Sequence, residues 1–121
     1  MKTLLWLDDL RNPFKDNWVR DFSPIGIECE IIWIKKYYDF CYYIEESGIP
    51  DAICFDHALS DIHCNKSTYK EKTGYDCAKF LVEYCLDNKL QLPLWSIQSS
   101  NPAGKTNIQA LLENYTKFIN K

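Results

Sequence analysis

Residues 5–13 read Leu5-Trp6-Leu7-Asp8-Asp9-Leu10-Arg11-Asn12-Pro13. The apolar run Leu4–Leu7 is a short strand, and it runs straight into two adjacent carboxylates. Neighbouring carboxylates repel one another, and taking them out of water is costly unless a cation or a hydrogen-bond donor compensates. Asp and Asn also favour turns, so the stretch by itself reads equally well as a strand ending in a polar turn. The rest of the chain decides between the two.

Working outward, Asn12–Pro24 is polar and aromatic, with a short helix expected around Trp18. Ile27–Ile34 alternates and is rich in isoleucine, which makes it strand two. Lys35–Ser47 reads as a helix stopped by Gly48, with Pro50 beyond it. Ala52–Phe55 is strand three and leads into Asp56 and His57. A polar loop follows through Lys72. Thr73 with Asp76 three residues later forms a capping-box pattern, and Cys77, Phe80, Leu81, Tyr84 and Cys85 follow at helical spacing. Leu94–Ile97 is strand four, and Ile108, Leu111, Leu112, Tyr115, Phe118 and Ile119 form the apolar stripe of a last helix. These stripes are core and carry no chemistry.

Strands alternating with helices imply one α/β domain, residues 1–121, built on a parallel sheet with right-handed crossovers. In such sheets the ligand crevice lies beyond the carboxyl ends of the strands. Asp8 and Asp9 end strand one and Asp56 ends strand three, while Ser99 and Asn101 follow strand four. Three carboxylates are therefore expected to converge on one sheet edge, which favours a site over a plain turn.

With 46% apolar residues and 15% aromatics, the chain has enough material for a real core. Its net charge of -3 gives no basic field for binding nucleic acid by charge alone, and no sequence-specific DNA binding is expected. A small phosphorylated ligand is compatible with this charge. No signal peptide and no membrane span are expected. The six cysteines contain no C-x-x-C pair and mostly sit among apolar residues, as small hydrophobes of a reducing cytoplasm. Cys54, His57, His63 and Cys64 match no usual zinc spacing.

The acidic pair after strand one and the Asp after strand three resemble response-regulator receiver domains. More closely, Leu7–Pro13 (LDDLRNP), Phe55–Asp61 (FDHALSD), Thr73–Asp76 (TGYD) and Gln98–Ile108 (QSSNPAGKTNI) resemble, in order, the motifs of cyclic-phosphate-processing receiver domains. The resemblance implies a flavodoxin-like, three-layer fold with four strands in the order 2-1-3-4. It implies a metal site of Asp8, Asp9 and Asp56 holding Mg²⁺ or Mn²⁺, hard ions suited to carboxylates and phosphate oxygens. The catalytic pair would be Asp56 and His57, with Arg11, Ser99, Asn101 and Lys105 around the phosphate.

Two positions depart from the family pattern. Ala58 stands where the family has Asp, and Gln98 where it has His, so two ionisable groups are missing. Residues 101–121 leave room for a loop and one helix only, so the lysine that receivers carry on a fifth strand is absent, and Lys105 near the start of the last helix could supply positive charge instead. The resemblance thus implies metal-assisted hydrolysis or transfer on a phosphorylated nucleotide or RNA end, a cyclic phosphate above all, weakened by Ala58 and Gln98. Two alternatives stay open: a non-catalytic binding protein that sequesters a nucleotide or a protein partner, and a signalling receiver phosphorylated on Asp56.

Overall fold

In the computed structural model, described over residues 1–56, 72–99 and 101–120, strands and helices alternate along the chain. They are β1 (Thr3–Leu7), α1 (Trp18–Phe22), β2 (Glu30–Ile34), α2 (Tyr37–Ser47), β3 (Ala52–Phe55), α3 (Gly74–Asn88), β4 (Leu94–Ile97) and α4 (Pro102–Ile119). All strand pairings are parallel and the sheet order is β2-β1-β3-β4, the expected flavodoxin-like arrangement.

The pleat divides β1 between two cores. Leu5 and Leu7 face the helices α2, α3 and α4 with Ile53, Phe55, Phe40, Leu81, Ile108 and Leu112. Leu4 and Trp6 face the other way, with Ala52, Cys54 and Val19 of α1. Right-handed crossovers explain this split. The chain steps from β1 outward to β2, then reverses across β1 to β3 and β4, so the first crossover helix lies on the opposite face from those that follow.

Local chemistry sets the helix ends. Gly48 closes α2 at φ 82°, a left-handed backbone that glycine adopts without steric cost, and its N–H reaches Ile44 O at 3.0 Å. The Thr73-Gly74-Tyr75-Asp76 motif starts α3, where the Thr73 N–H donates to Asp76 Oδ2 at 2.7 Å. This motif is accounted for by helix capping. Asn101 caps α4, its Oδ1 accepting from the Gly104 N–H at 3.0 Å with Pro102 in the first turn.

Two expectations need correction. Strand two begins at Glu30, because Ile27 lies outside the ladder and is exposed; its alternation belongs to the loop that covers the Trp6 face. Phe118 is also exposed, since it points about 100° around α4 from its neighbour Ile119, which packs against the core. Of the described cysteines, Cys54, Cys77 and Cys85 are buried, Cys29 and Cys41 are half-buried, and all five are free thiols. His57, Ala58, His63 and Cys64 lie outside the described residues. Among the described residues no helix is long and apolar enough to cross a membrane.

Candidate functional site

The site is built at the carboxyl ends of β1, β3 and β4. Asp8 is fully buried, and hydrogen bonds offset that burial. Its Oδ1 accepts from the N–H groups of Leu10 and Arg11, both at 2.9 Å, which folds the acidic pair into a tight turn. Its Oδ2 faces the Arg11 Nη1 at 3.1 Å. Its main-chain N–H extends the ladder to Ile34 O at 3.0 Å. Asp8 is thereby both a turn residue and part of a charge cluster, so each reading of the opening stretch describes half of its role.

Two tryptophans, given no role in the sequence analysis, hold the turn from below. Trp6 and Trp33 are register partners on β1 and β2. The Trp6 indole N–H donates to Arg11 O at 2.9 Å, and the Trp33 indole N–H donates to Asp8 O at 2.8 Å. A Trp pair on adjacent strands, one of them two residues before the acidic pair, was the available signal.

Asp56 follows β3 and is nearly as buried as Asp8. Arg11 Nη1 lies 3.7 Å from its Oδ2, so one guanidinium serves both carboxylates while stacking 5.4 Å from the centre of the Trp18 ring. Burial, and next the charge of Asp8, push the Asp56 carboxyl up from 3.8 to about 6; Arg11 opposes this, Asp9 adds to it, and a hydrogen bond with the Ser99 side chain opposes it.

Asp8, Asp9 and Asp56 each offer an oxygen within 4.8 Å of the others'. Three carboxylates at that separation are a hard-oxygen donor set that fits Mg²⁺ or Mn²⁺. The Arg11 guanidinium supplies positive charge to the same group.

The structure distributes the remaining expected residues unevenly. Ser99 reaches Asp56, and its Oγ also accepts from the Asn101 N–H at 3.1 Å. Asn101 spends its side-chain oxygen on the α4 cap. Lys105 is exposed in the first turn of α4 and makes no ion pair among the described residues. Gln98, directly after β4 on the same edge, is 4% exposed. Its Nε2 lies 3.1 Å from Leu7 O, 3.4 Å from Asp8 Oδ2 and 3.5 Å from Cys54 O. The side chain thus passes over the end of β3 to reach β1.

Comparison with known proteins follows the geometry. No curated protein matches the chain. Among solved structures, one described as the signal receiver domain of a Luxo repressor protein from Vibrio parahaemolyticus aligns over 97% of this chain and 94% of its own, at 15% identity and a TM-score of 0.48. The model of the family described as "Cyclic-phosphate processing Receiver domain" matches residues 3–114, nearly the whole chain. The chain belongs to the cyclic-phosphate processing receiver domain family.

Proposed function

We propose that this domain binds Mg²⁺ or Mn²⁺ on Asp8, Asp9 and Asp56 and processes a phosphorylated nucleotide or RNA end, a cyclic phosphate above all. The observation that carries this reading is the convergence of three carboxylates at the strand ends, two of them buried, with oxygens within 4.8 Å of one another. The cation, when bound, supplies charge neutralisation and polarises a phosphoryl oxygen.

The chain's own residues do the rest. Arg11 releases Asp56 and turns its guanidinium to the phosphate, whose oxygens its planar fork of donors matches. The Ser99 hydroxyl and the first turn of α4, organised by Asn101 and carrying Lys105, provide further donors and positive charge on the same edge. Asp56 and His57 are the candidates for nucleophilic and acid–base work.

A second reading is favoured by one specific observation. Gln98 occupies the family's histidine position, is buried, and cannot transfer a proton. On this reading the domain retains binding and has lost turnover. Calorimetry with Mn²⁺, followed by a screen of cyclic-phosphate nucleotides and short RNA ends, tests both. Turnover that depends on the cation and on Asp56 supports the enzyme; ligand binding without turnover supports the binding module. Absence of Mn²⁺ binding abolished by Asp56→Asn overturns the cation site.

A further inference from the structure

We propose that Gln98 is a positioning residue of the carboxylate cluster: its amide nitrogen steadies Asp8 from the β4 side, and its buried amide oxygen accepts a hydrogen bond from a water carried by a divalent cation seated on Asp8, Asp9 and Asp56. The inference rests on the cation reading above and extends it to a residue outside the donor set.

The orientation of the amide follows from its neighbours. Leu7 O, Asp8 Oδ2 and Cys54 O all surround one end of the side chain, and all three are acceptors. That end must be the NH₂ group. The main-chain N–H of Gln98 also donates to Phe55 O at 2.9 Å, which prolongs the β3–β4 ladder and fixes where the side chain starts. Gln98 thereby ties the carboxyl ends of β1, β3 and β4 together behind Asp8.

The other end of the amide carries the argument. Gln98 Oε1 is buried and has no hydrogen-bond partner among the described residues. Leaving a buried carbonyl oxygen unpaired costs the fold its desolvation energy, which an apolar side chain of similar size would avoid. The acceptor therefore calls for a donor from beyond the described residues, a role that a cation-borne water fills. Magnesium keeps several of its waters when carboxylates bind it, and its charge makes those waters strong donors. Partners that orient a metal site's ligands commonly tune its affinity about 10- to 100-fold.

The test uses Mg²⁺ alone, without nucleotide. In the unaltered protein, the side-chain amide NMR signals of Gln98 should shift with Mg²⁺ and saturate with the same constant that calorimetry gives. Gln98→Met, which keeps the length and removes both polar atoms, should weaken Mg²⁺ by about 10-fold. Gln98→His, with one donor and one acceptor nitrogen, should recover most of that loss. Unmoved Gln98 signals at saturation, or wild-type affinity in Gln98→Met, overturns the role of Gln98 and leaves the cation site standing. No Mg²⁺ binding by the unaltered protein overturns both. If Gln98→Met fails to fold, the NMR titration of the unaltered chain decides.

Discussion

The guanidinium of Arg11 lies 3.7 Å from the carboxylate of Asp56, across the gap between the ends of β1 and β3. It is also 3.1 Å from Asp8, so a single cation spans two buried acids. Removing one partner of a buried ion pair strands the other charge, which typically costs about 3–5 kcal/mol when burial is complete. Because the Arg11 side chain is partly exposed, Arg11→Met should destabilise the domain by about 2–3 kcal/mol near pH 7.5. Saturating Mg²⁺ should then raise the melting temperature of the variant more than that of the wild type, because the ion takes over the lost charge. Equal shifts in thermal melts would show that Arg11 and the cation act independently.

The pH dependence follows from Asp56. Its carboxyl is raised from 3.8 to about 6, so the folded state holds its proton more tightly than the unfolded state does. The stability this group contributes is fully present below about pH 4 and is lost as pH rises through about 6. The full shift corresponds to about 3 kcal/mol. Asp56→Asn, which never ionises, should therefore gain stability relative to wild type as pH rises from 4 to 7. Urea denaturation of both forms across that range checks it; parallel curves contradict the assignment.

The tryptophan donors make a separable claim. Trp33→Phe keeps an aromatic side chain, though a smaller one, and removes the N–H that serves Asp8 O, leaving a part-buried carbonyl without that donor. A cost of about 1–2 kcal/mol is expected, together with weaker Mn²⁺ binding from a looser turn. Retained Mn²⁺ affinity would confine Trp33 to a packing role.

Thr73→Ala probes the family motif that the fold absorbs. Loss of the cap should cost about 1 kcal/mol and leave Mn²⁺ affinity unchanged, because Thr73 and Asp76 serve the start of α3. A large loss of cation or ligand binding would return this motif to the site.

On the proposed function, activity should respond to the two departures from the family pattern. Ala58→Asp combined with Gln98→His should raise turnover of cyclic-phosphate substrates, since one acid–base group contributes about 10²- to 10⁴-fold. The Gln98 half of the exchange is not neutral for folding, because that side chain is buried and donates to Leu7 O. Activity is therefore compared with the folded fraction measured in parallel. Unchanged turnover in the folded protein would make both positions incidental to chemistry.

The order of elements was legible in the sequence because it rests on local physics. Short apolar runs at β1, β3 and β4, apolar stripes on α3 and α4, Gly48 after α2 and the Thr73–Asp76 box each act within a few residues. Parallel crossovers then place Asp8, Asp9 and Asp56 on one edge, since any residue that ends a strand falls there. What lay beyond the sequence is how the acids are held. Arg11 reaches both Asp8 and Asp56, and Gln98 crosses from β4 to a carboxylate 90 positions away. Register pairs Trp6 with Trp33 beneath the turn. A polar residue after a strand looks solvated in sequence, and only the packing of neighbouring strands decides whether water or protein surrounds it. At Gln98 protein surrounds it, because its side chain lies across the end of β3 with the carboxyl end of β1 beyond.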